Sequence, residues 1–265
     1  MFSFTLLKYE MKANSKLLIG FIYILSIYIL SMVYLYNPEK TNLMDDLAKT
    51  MPGLMKTFGM VAGTTTLIGF ISTYLYGLIL LMFPVIFIII LANKLVAGYV
   101  DRGSMAYLLA TPNKRVKIAL TQALSLWINI GILIAYITLA IIIFSAIIHP
   151  GMLDIGNFIK MNLVLFILHL AISGICFFAS CISNDTKRSL TIGAGIPVAF
   201  YLIQMLANMG GKLANLKYFT ILTLFNANDI ITGKSEVIPI LILVAVGIIF
   251  YGTGIFIFSK KDLSV

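Results

Sequence analysis

The sequence predicts an all-α integral membrane protein with six transmembrane helices. Of its 265 residues 60% are hydrophobic and 11% are charged, so the chain has too few polar side chains to cover a water-facing surface. The apolar residues form continuous runs and do not alternate with a period of two, which favours helices over a β-barrel. A span needs about 20 apolar helical residues. Six runs qualify as spans: residues 17–36, 67–92, 118–148, 161–182, 190–207 and 237–258.

The first run is expected to remain in the protein as a span. A cleavable signal peptide has an apolar core of about 7–15 residues followed by a small-x-small cleavage site. Residues 17–36 form a longer run, and no clear site of that kind follows it. We therefore expect one membrane domain over residues 1–265, with no soluble domain attached.

The basic residues predict the orientation, because Lys and Arg concentrate on the cytoplasmic side of membrane proteins. If the N-terminus is inside, the inner segments hold twelve basic and four acidic residues, and the outer segments hold seven and six. Both termini are therefore predicted to be cytosolic. The positive charge is spread over loops that flank the spans and is not gathered into a patch, which argues against a nucleic-acid partner.

Residues 2–16 predict an amphipathic helix before the first span. Apolar side chains recur at spacings of three and four, and lysines recur every fourth residue on a neighbouring face: Phe4, Leu7 and Met11 with Lys8, Lys12 and Lys16. Such a helix suits the inner membrane interface, where its lysines reach water and its apolar side chains contact lipid. A simple juxtamembrane anchor has the same pattern, so both interpretations stay open.

Residues 98–115 interrupt the apolar sequence with a charged, partly amphipathic segment between the second and third spans. Gly103 and Ser104 are predicted to end the second helix and to cap a short new one. Its apolar ridge lies at i, i+3 and i+4: Met105, Leu108 and Leu109. A two-turn helix is not stable alone in water, so this ridge needs a partner surface. That surface is either another protein or the chain's own helix ends.

The order of residues in this segment resembles the cytosolic loop after the second span of ABC-2-type transporter permeases. That loop carries an acidic residue, Gly-Thr, Leu-Leu, Pro and Arg. The residues with this resemblance are Asp101, Gly103, Ser104, Tyr107, Leu108, Leu109, Pro112 and Arg115. Ser104 replaces the commoner Thr, and Asn113-Lys114 stand where a small residue is frequent; these departures say nothing about the substrate.

Both ends of the chain resemble the same family. The start, with Lys8, Glu10 and Lys12, is similar to the family's interfacial elbow helix. The end, residues 258–263, is similar to its C-terminal Phe-x-x-Lys-Asp-Leu. The resemblance thus covers the whole chain in span number, topology and length.

The resemblance implies the permease subunit of an ABC exporter in a bacterial cytoplasmic membrane. An elbow helix would precede the six spans, and a short cytosolic coupling helix between spans two and three would dock a separate ATP-binding subunit. ATP and Mg would be bound there, so this chain is expected to hold no cofactor or metal and to be no enzyme. A second permease subunit, identical or related, and membrane lipid are the other implied partners. The export of an amphiphilic substrate, such as a peptide, an antibiotic or a lipid-like compound, also follows from the resemblance alone.

The sequence itself also indicates that ATP is bound by another subunit. A phosphate-binding Walker loop needs G-x-x-x-x-G-K-[ST], and the similar string that ends at Ser235 has Asn228 in place of the first glycine. Cys176 and Cys181 lack companion ligands at metal spacing and are predicted to be packing residues.

Three polar residues lie deep in predicted spans: Asn129, His169 and Gln204. Each is predicted either to bond across helices or to line a substrate pathway. Two other function classes stay open. A membrane scaffold or sensor would use the apolar ridge to bind a regulatory protein. A gradient-driven transporter needs acidic residues for ion coupling, and the absence of Asp and Glu from the six predicted spans counts against it.

Overall fold

The computed structural model describes residues 2–37, 50–60, 66–110, 114–234 and 237–261. Within these ranges the chain is helical, with no strand. Six of the described helices are long and apolar enough to cross a membrane, which confirms the predicted fold class. They are α1 (Phe4–Leu35), α3 (Leu67–Tyr74) continued by a π-helical turn (Leu75–Ile79) and α4 (Leu80–Leu95), α7 (Arg115–Ile148), α8 (Ile155–Ile182), α9 (Thr186–Met209) and α11 (Val237–Lys260).

Short helices connect these spans. They are α2 (Pro52–Thr57), α5 (Ala97–Asp101), α6 (Met105–Leu109) and α10 (Ala227–Ile231), and two 3-10 segments cover Gly211–Phe219 and Ile221–Leu224. The residues around 2–16, 94–110, 114–117, 183–188 and 261 share one end of the bundle, which we call the terminus end. The opposite end, which we call the pocket end, carries residues 52–60 and 208–231.

Helix α8 is the centre of the bundle and packs against α4, α7, α9 and α11. It is apolar on all sides, as expected for a helix surrounded by others. Side chains from both ends of α8 are buried, including Phe158 and Phe177. Helices α1, α9 and α11 are peripheral and expose large apolar side chains such as Ile19, Leu202 and Ile248. That outward apolar surface suits contact with lipid.

Aspartate caps fix where two of the spans begin. The carboxylate of Asp154 accepts a hydrogen bond from the main-chain N–H of Asn157 at 3.1 Å, and Asp185 accepts one from Arg188 at 2.7 Å. Such caps satisfy N–H groups that have no partner within the helix. They start α8 and α9 directly after short connections.

The predicted elbow helix is not a separate element in the structure. Residues 4–16 form the first turns of α1, and no helix boundary follows before residue 35. The sequence offers no proline or glycine to break this segment before Gly20. A helix of 32 residues spans about 48 Å, which exceeds a hydrocarbon core of about 30 Å. The lysine-bearing first turns therefore extend beyond the apolar part of the span.

Residues 51–58 carry apolar side chains at helical spacing: Met51, Leu54, Met55 and Phe58. The structure has α2 there and packs it against α9. Met55 is buried, while Met51 and Leu54 are exposed. The helix is thus anchored on the protein by one side chain.

Glycines allow α8 and α11 to pack closely. A Cβ atom on Gly254 would lie 3.2 Å from the Cα of Phe178, and one on Gly174 would lie 3.3 Å from the carbonyl oxygen of Gly247. Main-chain atoms cannot yield without moving a helix, so a side chain at either position forces the helices apart. Small residues serve the same purpose at other helix contacts in membranes.

We expect Gly254→Val to destabilise the bundle by about 1–3 kcal/mol, since it overpacks a filled contact. Gly252→Val is the matched control, because a Cβ there meets nothing within 4 Å. Thermal unfolding of the purified protein in detergent measures both. Equal midpoints for the two variants would contradict the close contact between α8 and α11.

Candidate functional site

The segment between the second and third spans folds at the terminus end as α5, a turn and α6. Gly103 has φ +67°, in the left-handed region that favours glycine, so the predicted helix break is confirmed there. The predicted cap is wrong in detail. The Ser104 hydroxyl donates to the carbonyl of Tyr99 at 3.2 Å and makes no cap bond to α6.

The apolar ridge of α6 faces the protein itself. Met105 is 1% exposed, and Leu108 and Leu109 are half-buried against the core. Of the two partner surfaces that the sequence left open, the structure therefore shows the chain's own helix ends. Tyr107 points the other way and is 81% exposed. Pro112, also predicted for this site, lies outside the described residues.

Hydrogen bonds join this segment to the next loop at the terminus end. The Asp101 carboxylate accepts from the hydroxyl of Thr186, at the start of α9, at 2.7 Å. This bond joins α5 to the start of the fifth span.

The C-terminal residues tie three further helix ends together. The Lys261 ammonium donates to the carbonyl of Ser183 at 2.7 Å and lies 3.3 Å from that of Cys181, at the end of α8. A lysine there satisfies carbonyls that the helix leaves unpaired. Burial lowers the pKa of Lys261 from its ordinary value. Arg115, at the start of α7, donates to the carbonyl of Lys261 at 2.6 Å.

A buried polar cluster lies between α1 and α7. Glu10 is 2% exposed and accepts from the side-chain amides of Gln122 at 2.9 Å and Asn14 at 3.2 Å. Tyr99 of α5 also faces this carboxylate: burial, and secondly the neighbouring Glu10, raise the pKa of Tyr99. Glu10 therefore links the first span, the third span and the segment that leads to α6.

Glu10 lies in the first turns of α1, outside the apolar run that predicted the first span, and it is buried there together with Asn14. Lys8 and Lys12, on the neighbouring face, are exposed. The sequence analysis selected Glu10 as part of the elbow segment but did not predict that it is buried.

Asn129 belongs to the same seam between α1 and α7. Its side-chain amide donates to the carbonyl of Ser125 at 2.8 Å and contacts the sulfur of Met11 at 3.3 Å. His169 is fully buried in α8. Its Nδ1 lies 2.8 Å from the carbonyl of Leu165 and its Nε2 lies 3.3 Å from that of Leu81 in α4. These contacts support helix bonding for both residues.

Gln204, by contrast, lies on a polar cavity of about 330 Å³ at the pocket end. Its amide donates to Asn208 at 2.9 Å, and its carbonyl accepts from Thr223 at 2.7 Å. Asn208 in turn donates to the carbonyl of Thr57 at 3.2 Å. This chain of bonds holds α9, α2 and the 3-10 segments around the cavity.

The π-helical turn of the second span forms another wall of the cavity. Gly77 approaches residues 58–60 so closely that a Cβ would lie 3.0 Å from the carbonyl oxygen of Phe58. Tyr76, its neighbour, stacks on Phe225 with ring centroids 6.1 Å apart and donates to Asn162 at 2.8 Å. π turns often occur at functional sites because they redirect side chains within a helix.

The sequence analysis missed most of this cavity. Its polar side chains come from four segments far apart in the chain: Thr57, Ser72, Thr73, Tyr201, Gln204, Asn208, Lys217, Thr223, Asn226 and Asn228. The polarity of residues 208–236 was visible, but no local spacing indicated which spans they would meet. Among the described residues no cluster of three or more metal-ligating side chains occurs. Cys176 and Cys181 are both buried free thiols.

Six helices long and apolar enough to cross a membrane, with short linking helices at the terminus end and a polar cavity at the opposite end, form the architecture of a multi-pass membrane protein. The family described as ABC-2 family transporter protein matches residues 8–263, nearly the whole chain. The chain therefore belongs to the ABC-2 transporter family, as the resemblance implied. No curated protein and no solved structure matches it.

We expect Glu10→Ala to lower the free energy of unfolding by roughly 1–3 kcal/mol, because it leaves buried amide donors without their acceptor. Lys12→Ala, two residues away on the exposed face of α1, is the matched control and should change stability by less than about 0.5 kcal/mol. Thermal unfolding in detergent compares the two. Equal stability of both variants would show that the buried carboxylate does not hold α1 to α7.

Proposed function

We propose that this chain is the membrane-spanning permease subunit of an ATP-driven exporter in a bacterial cytoplasmic membrane. A separate subunit would bind ATP and Mg and hydrolyse the nucleotide. The cargo would be an amphiphilic compound such as a peptide, an antibiotic or a lipid-like molecule. The observation that carries the proposal is membership of the ABC-2 family together with the short helix α5 at the terminus end, whose Asp101 bonds to the start of the fifth span and whose Tyr99 lies beside Glu10 of the first.

The terminus end would face the cytosol. It carries most of the basic side chains, which is the charge bias of cytoplasmic loops. The ATP-binding subunit would dock there, on the exposed side of the segment from α5 to α6. That side offers the phenol of Tyr107 and the charges of Asp101 and Arg102. The buried side, fixed by Met105, would keep α6 from moving independently of the bundle.

A displacement of α6 would pass to α5, and from there two routes would carry it into the membrane. Through Asp101 and Thr186 it reaches α9, which lines the cavity at the opposite end. Through Tyr99 and Glu10 it reaches α1 and α7. Because both routes consist of rigid helices joined by short polar contacts, closure of the ATP-binding subunits would shift the spans between two arrangements. Pro84 in α4 and Pro197 in α9 are interior prolines at which such helices can bend.

A second permease subunit, identical or related, would complete the pathway. One chain of six helices leaves α1, α9 and α11 with apolar outer faces, which partner helices and lipid would share. The alternative of a membrane scaffold or sensor predicts that the terminus end binds a protein without nucleotide-hydrolysing activity. Identification of what co-purifies with the chain therefore separates the two functions.

We expect Tyr107→Ala to reduce co-purification of a nucleotide-hydrolysing subunit at least severalfold, since exposed aromatic side chains dominate many protein interfaces. Tyr34→Ala is the matched control, because Tyr34 is 77% exposed and lies at the opposite end of α1. Affinity purification from native membranes, followed by mass spectrometry and an ATPase assay, measures the retained partner.

Retention of the same ATPase by wild type, Tyr107→Ala and Tyr34→Ala would contradict the docking site on α6. Capture of a protein without ATPase activity, lost on Tyr107→Ala, would support the scaffold instead. Labelling of a cysteine at position 107 from outside intact cells would contradict the cytosolic orientation.

A further inference from the structure

The cavity at the pocket end contains two buried hydroxyls that the fold does not use. Thr73 is 4% exposed and Tyr201 is 7% exposed, and neither side-chain oxygen has a hydrogen-bond partner among the described residues. Both residues line the same cavity, Thr73 from the second span and Tyr201 from the fifth. A buried hydroxyl without a partner is costly, so two in one cavity indicate groups kept for a ligand.

The charge around the cavity favours an anion. Among the described residues that line it, Lys217 is the one charged side chain, and it is exposed at the edge of the cavity. Lys56 lies beside Gly210, outside the cavity lining, since a Cβ on Gly210 would lie 3.2 Å from its ammonium nitrogen. Asp229, which follows the lining residue Asn228, is paired with Lys234. The one formal charge on the described lining is therefore positive.

Size limits the ligand to one small polar group. A cavity of about 330 Å³ lies at the lower end of the range for small-molecule sites, about 300–1,000 Å³. The walls are mixed: amides of Gln204, Asn208 and Asn228 provide further hydrogen bonds, while Phe225 provides an apolar surface. Such a lining suits a head group with several oxygen acceptors, whose apolar remainder stays outside in the bilayer.

We propose that this cavity binds the anionic, oxygen-rich head group of an amphiphile, with Thr73 and Tyr201 donating hydrogen bonds and Lys217 pairing with its charge. The inference rests on the proposed function for the amphiphilic nature of the cargo. It specifies the chemistry of the head group that binds at the pocket end and names the residues that bind it.

The test uses the full chain purified in detergent without any ATP-binding subunit. Three probes are compared by thermal shift and by isothermal titration calorimetry: dihexanoyl phosphatidylglycerol, dihexanoyl phosphatidylcholine and inorganic phosphate. Both lipids are used below their critical micelle concentrations. We expect the phosphatidylglycerol to raise the unfolding midpoint most. Lys217→Ala should weaken its binding by about tenfold, since a charge-assisted contact is lost. Lys160→Ala, an exposed lysine outside the cavity lining, should leave the binding unchanged.

Two further variants test the unpartnered hydroxyls directly. Thr73→Val and Tyr201→Phe remove groups without partners, so the free protein should be equally stable or more stable than wild type. The stabilisation by phosphatidylglycerol should fall in both variants. A lower midpoint of the free variants would show that the hydroxyls serve the fold, and this would overturn the proposal.

Three further results would also overturn the proposal. Equal binding of phosphatidylcholine would overturn the anionic assignment, and equal binding of inorganic phosphate would show a site for free anions instead of an amphiphile. Binding unaffected by Lys217→Ala, Thr73→Val and Tyr201→Phe would place the ligand elsewhere. None of these results depends on Tyr107, so failure of this site and failure of the ATPase docking are distinguishable.

Discussion

The structure depends on one constraint: polar groups buried in an apolar bundle must find partners inside the chain. Unpaired polar groups cost several kcal/mol in hydrocarbon, so polar side chains in spans are bonded or functional. Glu10, His169 and Asn162 follow this rule by bonding to the Gln122 amide, the Leu81 carbonyl and the Tyr76 phenol. Each of these three contacts joins two spans. The polar residues therefore fix how the apolar helices are placed, although apolar packing around α8 fills most of the volume.

The two ends of the bundle meet this constraint in different ways. At the terminus end, Asp101, Lys261 and Glu10 bond to groups of other helices, although the side-chain oxygens of Asn14, Gln122 and Asn129 beside Glu10 have no partner among the described residues. At the pocket end, the hydroxyls of Thr73 and Tyr201 also lack partners, and both line one cavity. Under the functions proposed above, the terminus end would transmit a displacement and the cavity would hold a ligand.

Sequence patterns predicted the spans and the short helix α6 because hydrophobic length and periodicity are local properties. They failed where the answer depended on which helices meet. The ridge at Met105 was visible as an apolar face, but a local pattern does not show whether that face binds another protein or α6's own neighbours. Likewise Gln204 could be chosen as a polar residue in a span, while Thr73 and Tyr201 carried no signal until α9 was placed beside the second span. The elbow was predicted as a separate helix, but no residue before Gly20 ends a helix, and the segment continues into the first span.

Helix α9 connects the two ends, and its position explains why both can belong to one mechanism. It begins at Thr186, bonded to Asp101, and it carries Tyr201 and Gln204 into the cavity. Within the chain α9 is less buried than α8, and it packs against α8, α4 and the 3-10 segments. Under the proposed function, a tilt of α9 driven from Asp101 would change the distance between Tyr201 and Thr73, which lie on different spans. The affinity of the cavity for a head group would then depend on the arrangement of the terminus end. By thermodynamic linkage, a bound head group would shift that arrangement in turn.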